Sequence, residues 1–495
     1  MPGKAGGDAT EMDPHIDQAI DQVIRPLADA VSAFIFYAVP VLGAELPLIV
    51  AWLVAGGCFF TVYLGFVNVR GFGHAIAVVR GRFARDDDPG EVSQFQALTA
   101  AVSGTVGLGN IAGVAVAISV GGPGATFWMI VAGLLGMSTK FAECTLGVLY
   151  RRPGDPAGTG LPVAGGPMYY LTRGLADLRL PRTGRVLGWL YAAAMVVGCL
   201  GIGNMFQSNQ ATALLIDATG GPDSALAGRQ WLVGLALAVA VGLVIIGGIR
   251  SIARTTGKLV PVMAVLYVVS AGTVIAINAA AVPDALAAIW RGAFAPDGIA
   301  GGAIGVMIMG FRRAVFSNEA GLGSSSIAHA AARTREPVSE GYVALLEPFI
   351  DTVVICTMTA LVIITTVYDP ALAAAGVNGV ELTAAAFATA FAWAPIPLTI
   401  AAILFAYSTM ITWSYYGLTA FLFLVGDRPW VDLGFKLFFL TFVVIGATVQ
   451  LGALVDLSDA LVFLVALPNL LGLYLLAPRI RREMKSYEAR IRRPR

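Results

Sequence analysis

Long apolar runs separated by short charged stretches make up most of the chain from residue 44 onwards. A helix needs about 20 mostly apolar residues to cross a bilayer, so runs of this length predict membrane-spanning helices. Eleven segments qualify, near residues 44–66, 95–120, 124–149, 186–210, 230–248, 258–280, 299–319, 341–367, 396–425, 434–453 and 457–478. The stretch 381–394 is too short to cross, and we expect it on the outer surface. The pattern predicts an all-α polytopic membrane protein.

The residues before the first span follow another pattern. Ile20, Ile24 and Val31 recur at helical spacing, while Asp21 and Arg25 fall largely on the other side. This arrangement predicts an amphipathic helix lying in the membrane interface. A soluble amphipathic helix packed on the body of the protein remains the alternative.

Composition agrees with a membrane protein and narrows its function. Hydrophobic residues make up 57% of the chain and charged residues 13%, against about 25% charged in a typical soluble domain. The net charge of +1 provides no electrostatic basis for binding nucleic acid. Four cysteines lie inside apolar runs, and three scattered histidines leave little for His-based catalysis. We therefore predict membrane lipid as the surroundings and no enzymatic activity.

Loop charges predict the orientation. With the N-terminus outside, the inside segments hold 25 Lys and Arg and the outside segments hold 4, the other 3 lying within spans. This asymmetry is the positive-inside pattern. It predicts a bacterial inner-membrane protein with an extracytoplasmic segment over 1–43, a membrane domain over 44–480 and a basic cytoplasmic tail over 481–495.

The second span contains a polar, glycine-rich interruption. Ser103–Asn110 reads SGTVGLGN, which is poor helix-forming sequence. An unwound turn here would expose backbone N–H groups at the positive end of a half-helix, a geometry that binds carboxylates. Close helix packing through Gly109 and Gly113 is the alternative.

The seventh span contains the second interruption, Gly310–Gly321, which reads GFRRAVFSNEAG. Charged groups are costly at membrane depth, so they must face protein or water. Ser317 or Asn318 is predicted to cap a new half-helix that begins at Glu319. Alternatively, the span ends near Phe316 and a cytoplasmic helix starts.

The two interruptions lie five spans apart, in the second and seventh helices. Paired interruptions in two halves of a membrane protein indicate an inverted-repeat transporter with its site at the midplane. We predict one extra N-terminal helix followed by ten core helices, in repeats of about 95–280 and 299–478.

Several long motifs resemble the alanine/glycine:cation symporter family over about residues 45–480. They are Ala101–Gly113 with Gly121–Gly124, Gly165–Tyr170, Ser317–Ser324 and Trp413–Gly417. The resemblance implies a LeuT-type 5+5 inverted-repeat core with broken core helices 1 and 6. It also implies alternating access that imports a small neutral amino acid, alanine or glycine, with sodium.

The resemblance implies a substrate site at the first interruption. Backbone N–H groups around Gly107, Leu108 and Gly109 would hold the substrate carboxylate. Thr105 and the side-chain oxygen of Asn110 would serve the substrate or a nearby sodium ion.

Sodium sites of the superfamily use carbonyls of core helix 1 and hydroxyls of core helix 8. Here these would be the carbonyls of Ser103 and Val106 and the hydroxyls of Ser408 and Thr409, with Asn110 nearby. Hard oxygen ligands without a carboxylate suit a monovalent cation. Hydrogen bonding to the preceding helical turn is the alternative for the two hydroxyls.

Polar and aromatic side chains complete the predicted site. Asn204 and Gln207, three residues apart on core helix 3, are expected to reach the substrate ammonium or the site wall. Phe316 and Trp413 would limit the space for the substrate side chain, with packing as the alternative. Asn318 is also placed in the substrate site.

Buried charges raise a second possibility. Glu347 and Asp351, at i and i+4 on core helix 7, are candidates for a proton relay. Pairing with Arg312–Arg313 is the favoured interpretation, and a similar pair is expected between Lys140 and Glu143. A proton-coupled amino-acid carrier is therefore the alternative to sodium coupling. A channel would need rings of like charges or repeated carbonyls along a pore, and the sequence contains no repeated filter motif that predicts one.

Overall fold

The computed structural model describes residues 25–26, 28–41, 43–85, 87–154, 163–294, 302–368, 379–390, 393–448 and 452–492. It is helical apart from one small antiparallel hairpin, β1 (Ala38–Val41) with β2 (Ala44–Pro47), in which Ala38 lies opposite Pro47. Residues 28–35 are helical, whereas most of the predicted amphipathic helix and the end of the basic tail lie outside the described residues.

Helices occupy every predicted spanning segment. In the first half they are α1 Leu48–Tyr63, α2 Val67–Arg70, α3 Phe72–Val79, α4 Gln94–Thr105, α5 Ala112–Gly121, α6 Gly124–Leu149, α7 Pro167–Asp177, α8 Pro181–Leu200, α9 Phe206–Ala218, α10 Gln230–Ile245, α11 Gly248–Ile277 and α12 Val282–Phe294. In the second half they are α13 Gly302–Asn318, α14 Ser325–His329, α15 Pro337–Ala344, α16 Leu346–Pro348, α17 Thr357–Thr366, α18 Val380–Ala388, α19 Pro395–Val425, α20 Pro429–Thr448 and α21 Gly452–Arg492. The widened turns Gly201–Met205 and Phe349–Cys356 join α8 to α9 and α16 to α17.

Length and hydropathy support the membrane prediction. Within the described part of the chain, 7 helices or helix runs are long and apolar enough to cross a bilayer, and α4 with α5 forms an eighth, bent one. The apolar helices α1 and α10 are shorter, and α13 coincides with the predicted seventh span. The all-α membrane class is confirmed, and the count of eleven spans stays a prediction.

The bend between α4 and α5 lies at the glycine-rich run. Ser93 caps α4 by accepting from the Gln96 N–H at 3.2 Å, and the Gln96 side chain accepts from the Ser93 N–H at 3.0 Å. The helix ends at Thr105, Gly107 is extended, and the chain resumes through a short turn at Leu108–Asn110. The two helical pieces meet at 58°. We call residues 106–110 the break.

The second interruption takes a different form from the predicted one. Helix α13 continues through Asn318, and the chain then reverses at Glu319, Gly321 and Gly323, whose φ angles are 57°, 94° and 80°. The Asn318 side-chain oxygen accepts from the Ala320 N–H at 3.0 Å. The predicted half-helix starting at Glu319 is therefore wrong, because this left-handed turn ends the helix.

Helix α6 is the central packing element. It contacts α1, α12, α13, α14 and α15. Glycines bring it close to them, since a Cβ on Gly136 would lie 2.8 Å from the Ala320 side chain and one on Gly147 would lie 2.8 Å from the Ser326 carbonyl oxygen. Small residues at such crossings are how membrane helices approach closely.

Gly124 tests this packing. Its added Cβ would lie 2.1 Å from the backbone carbon of Gly292 on α12, where no side chain can move aside. Overpacking of this kind costs about 1–3 kcal/mol. We expect Gly124→Ala to lower the thermal unfolding midpoint of the purified protein in detergent. Gly113→Ala is the matched control, because its Cβ meets nothing within 4 Å. Equal midpoints for the two variants would contradict the prediction.

Candidate functional site

The backbone N–H groups of the break are paired with side-chain oxygens. The Gly107 N–H donates to Oδ1 of Asn110 at 2.8 Å, and the Leu108 N–H donates to Oε1 of Gln207 at 3.4 Å. All four residues are buried. A carboxylate oxygen is the same kind of acceptor as these amide oxygens, so the break has the chemistry to bind one.

Helix α19 lies against the end of α4 through hydroxyl groups. The Ser103 hydroxyl donates to the Ser408 carbonyl at 2.7 Å, and the Thr409 hydroxyl donates to the Ser103 carbonyl at 3.1 Å. The Thr412 hydroxyl reaches Ser103 Oγ at 3.1 Å. The structure thus brings together three of the predicted sodium-ligating residues, with Val106 one turn away at the end of α4.

Of the two hydroxyls for which a bond within the helix is the alternative, Ser408 follows it, and Thr105 makes the same kind of bond. Ser408 Oγ donates to the Phe405 carbonyl at 3.0 Å, and Thr105 Oγ1 donates to the Val102 carbonyl at 3.2 Å. These are bonds to the preceding helical turn. Thr409 differs, because its hydroxyl crosses to α4 and lies 2.8 Å from a Cβ placed on Gly107.

Asn110 joins a second group of oxygens, centred on Asp351. The Asp351 carboxylate is 0% exposed. It accepts from Asn110 Nδ2 at 2.6 Å, from the Ser317 hydroxyl at 2.8 Å and from the Thr352 hydroxyl at 2.7 Å. Asn318 Nδ2 in turn donates to Thr352 Oγ1 at 2.9 Å. One carboxylate therefore ties the break to the end of α13 and to the widened turn Phe349–Cys356.

The predicted pairing of Glu347 and Asp351 with Arg312–Arg313 is wrong. Glu347 pairs with Lys140 at 3.2 Å and with His329 at 2.7 Å. The guanidinium of Arg312 lies 4.3 Å from the ring centre of Phe36, and that of Arg313 lies 5.9 Å from the ring centre of Phe316. Glu347 instead pairs with a cation from α6, a partner that spacing along its own helix cannot reveal.

The predicted pair between Lys140 and Glu143 is also wrong. Lys140 donates to Glu347 and to Ser325. Glu143 accepts from the Gly321 N–H at 3.0 Å and from Asn469 Nδ2 at 2.8 Å. The two side chains are three residues apart on α6, and tertiary partners compete successfully for both.

The two amides of the third predicted core helix face different neighbours. Gln207 reaches the break, and its Nε2 donates to the Ile202 carbonyl at 3.1 Å. Asn204 donates to the Phe439 carbonyl of α20 at 2.7 Å, which is a bond between helices. The widened turn Gly201–Met205 separates the two orientations. Spacing alone predicts a shared face, because it assumes a regular helix.

Two predicted aromatic residues lie at the end of α4 and at the break. Trp413 is 1% exposed and donates from Nε1 to the Gly104 carbonyl at 3.2 Å. Gly203 packs so closely against its ring that a Cβ there would lie 2.2 Å away. Phe316 lies over Gly109, 3.5 Å from a Cβ placed there, and packs edge-on against Phe206. Phe316 therefore contacts the break itself, whereas Trp413 contacts Gly104 and Gly203 beside it.

Sequence reasoning did not find that Ser317 and Thr352 donate to Asp351. It also missed that Gln207 accepts from the Leu108 N–H. Only the position of an aspartate inside a span signalled the Asp351 group. Its distant partners, Asn110 in the break and Ser317 on α13, come from separate parts of the chain that no local pattern connects.

Comparison with known proteins places this arrangement in a fold. The chain is similar to the crystal structure of MhsT in complex with L-phenylalanine, with a TM-score of 0.55 at 15% identity, covering 79% of this chain and 98% of that one. The LeuT-type fold that the sequence predicts is thereby confirmed.

Sequence relatives are closer. The sodium/alanine symporter AgcS of Methanococcus maripaludis is 38% identical over 89% of this chain and 94% of its own length. The amino-acid carrier protein AlsT of Bacillus subtilis is 33% identical over 86% of each chain. The "Probable sodium/glutamine symporter GlnT" of the same organism is 34% identical over 89% of this chain and 87% of its own. The family model described as the sodium:alanine symporter family matches residues 30–494. This chain belongs to the sodium:alanine symporter family.

Proposed function

We propose that this protein imports a small neutral amino acid, alanine or glycine, together with sodium by alternating access. Membership of the family supports cation-coupled amino-acid symport. The observation that carries the proposal is the buried Asp351 carboxylate, which Asn110 connects to the Gly107 N–H of the break.

Asp351 requires a cation that the helices do not supply. Its hydrogen-bond donors are amide and hydroxyl groups, all neutral. Among the ion pairs of the described residues, none involves Asp351. A buried carboxylate without a counter-charge is strongly disfavoured. A cation from solution removes this penalty, and the neighbouring hydroxyl oxygens of Ser317 and Thr352 suit sodium.

Asn110 provides a direct link between cation and substrate. Its amide holds the Gly107 N–H with Oδ1 and the Asp351 carboxylate with Nδ2. A cation at Asp351 therefore changes the orientation of the group that occupies the break. In the proposal, the substrate carboxylate replaces the oxygens of Asn110 and Gln207 at the N–H groups of Gly107 and Leu108.

The remaining predicted residues complete the proposed site. Ser103, Val106, Ser408 and Thr409 supply oxygens for sodium on the opposite side of the break. The substrate side chain faces Phe316 and Trp413, whose bulk favours alanine and glycine over longer amino acids. Thr105, Gly109, Asn204 and Asn318 remain proposed members of the substrate site.

The ion gradient is sufficient for this transport. Moving one charge through 100 mV supplies about 2.3 kcal/mol, and a roughly tenfold sodium gradient adds about 1.4 kcal/mol. Their sum sustains an amino-acid gradient of roughly several hundredfold. One sodium ion per substrate is enough. The proposed location is the inner membrane, with the N-terminus outside and the C-terminus cytoplasmic.

Proton coupling is the second candidate, because a proton also neutralises the Asp351 carboxylate. The same site then carries amino acid with a proton and has no need for sodium. The relative named for glutamine also makes the side-chain limit a point to test.

Uptake by reconstituted liposomes tests the proposal. We expect labelled alanine to enter above the level of empty liposomes with external sodium, and not with choline at matched pH and potential. Glycine should compete, whereas leucine and glutamine should not. Uptake driven equally by a pH gradient in choline would replace sodium with a proton. Absence of uptake of any small amino acid would refute the substrate assignment.

Asp351→Asn removes the charge and keeps the size of the side chain. We expect sodium-dependent alanine uptake to fall on the order of tenfold or more, corresponding to about 1.4 kcal/mol or more of lost cation stabilisation. Asp284→Asn, at an exposed position in the first turn of α12, is the matched control and should transport normally. Wild-type uptake by the Asp351 variant would show that its charge has no part in coupling.

Exchanging the side chains of Asn110 and Asp351 tests the contact between them. Asn110→Asp places a second carboxylate within the 2.6 Å contact to Asp351 and should lower the thermal midpoint by several degrees. In the double variant Asn110→Asp with Asp351→Asn, an amide again faces a carboxylate, and the Gly107 N–H keeps an acceptor. We expect the double variant to recover most of the loss, with a coupling of about 0.5–3 kcal/mol. Simple additivity of the two changes would argue against the contact.

A further inference from the structure

The segment after α13 is buried throughout. Every residue from 319 to 332 is buried, although the loop charges predict this part of the chain to be on the cytoplasmic side. It begins directly after Ser317 and Asn318, which contact the Asp351 group. We call residues 319–332 the inner plug, because they are buried on the predicted cytoplasmic side and their helix α14 packs against α4, α6 and α19.

Polar side chains from several helices hold the inner plug by its backbone. Glu143 on α6 accepts from the Gly321 N–H, and Asn469 on α21 donates to the Gly321 carbonyl at 2.8 Å. Tyr191 on α8 donates to the Leu322 carbonyl at 2.9 Å. Arg151 donates to the carbonyls of Ala330 and Ala332 at 2.8 and 2.7 Å. These contacts join the plug to helices on opposite sides of it.

The side chain of His329, in the plug, lies between two carboxylates. Nδ1 of His329 lies 2.7 Å from Oε2 of Glu340, and Nε2 lies 2.7 Å from Oε1 of Glu347. All three side chains are 0% exposed. Neutral imidazole has one N–H and one bare nitrogen, so it cannot donate to two carboxylates. The geometry needs one more proton than neutral histidine and two ionised carboxylates provide.

We call Glu340, His329 and Glu347 the triad. The charges around it agree with one extra proton. Lys140 donates to the second oxygen of Glu347, so a protonated His329 balances the two carboxylates with two cations. Burial disfavours the charged ring, but hydrogen bonds to Glu340 and Glu347 outweigh burial and raise the pKa of His329 to about 9. Other charged or titratable groups interact with these three residues: Lys140, Glu143 and Cys144 on α6, Arg151 after it, Glu319 in the plug, Tyr416 on α19 and Tyr487 on α21.

A metal ion fits this place less well than a proton. Donor atoms of Cys144, His329 and Glu347 lie within 4.8 Å of one another. However, the Lys140 ammonium already bonds Glu347, and Glu340 holds the other ring nitrogen of His329. A divalent cation would meet that ammonium at close range, whereas a proton satisfies both ring nitrogens.

We propose that Glu340, His329 and Glu347 form a proton-binding site that keeps the inner plug closed. With the proton bound, the ring donates to both carboxylates and ties the plug to α15 and α16. Without it, a bare nitrogen faces a carboxylate oxygen, and the contact becomes repulsive. The proton therefore favours the closed plug. Its role in transport rests on the proposed function, while the site itself does not.

The sign of the pH dependence follows from the raised pKa. Stabilisation of the closed plug is fully present below the ordinary histidine pKa of about 6.5. It is lost as pH rises through about 9. One linked proton changes the opening equilibrium by about tenfold per pH unit in that window.

Hydrogen–deuterium exchange of the purified full chain measures this opening without any substrate. Peptides covering residues 319–334 are compared between pH 7 and pH 9, with rates corrected for the intrinsic effect of pH on exchange. We expect the protection of wild-type plug amides to fall by about tenfold per pH unit. Protection that stays constant across this range would overturn the proposal.

Glu340→Gln is the decisive variant. A glutamine of the same shape donates from its amide to Nδ1 of His329, while Nε2–H donates to Glu347, so the triad needs no extra proton. We expect its plug protection to be independent of pH. A wild-type pH slope in this variant would overturn the proposal. His329→Gln should likewise lose the slope and serves if Glu340→Gln does not fold.

His74→Gln is the matched control. His74 lies on α3, its Nε2 is 2.9 Å from the Tyr487 hydroxyl, and it bonds neither Glu340 nor Glu347 among the described contacts. Its variant should keep the wild-type pH slope, and loss of the slope here would overturn the assignment to His329. Failure of alanine uptake in liposomes alongside the expected exchange results would refute the substrate assignment and leave the proton site intact.

Discussion

Backbone N–H groups that leave a helix inside a membrane protein need acceptors from the protein, and the rest of this structure depends on supplying them. Where α4 ends, the chain leaves N–H groups without helical partners, at a depth where water cannot supply acceptors. Asn110 and Gln207 supply them instead. Each of these side chains belongs to a wider set of contacts, so pairing the break also determines how α5, α9 and the Asp351 group are positioned around it.

Buried charged side chains beyond the break are likewise paired inside the protein. Lys140, His329, Glu340 and Glu347 are fully buried and satisfy one another in a chain of contacts between α6, the inner plug and α15–α16. A buried ion pair contributes little net stability compared with apolar packing, but removing one partner is costly. Such a network therefore selects one arrangement of helices over others. It also makes that arrangement sensitive to the loss of one charge or proton.

The sequence predicted the features that depend on local composition. Spans were recognisable because long apolar runs have few other solutions, and the break because Gly104, Gly107 and Gly109 interrupt one of them. It could not predict that Glu347 pairs with Lys140, since the partners are 207 residues apart. The different directions of Asn204 and Gln207 arise from a widened turn, which leaves no clear trace in spacing. The half-helix predicted after α13 was wrong because a capping residue was identified without the left-handed Glu319 that follows it.

Neighbouring side chains hold the inner plug mainly by hydrogen bonds to its backbone. Glu143, Asn469, Tyr191 and Arg151 all bond to backbone atoms of the segment, whatever side chains those residues carry. Plug side chains other than His329 and the left-handed Gly321 and Gly323 can therefore diverge between relatives while these attachments persist. A change in length is a different matter, because inserting or deleting one residue would move every attachment point out of register at once. This segment is thus constrained in length throughout, and in chemical identity at particular positions such as His329 and Gly321.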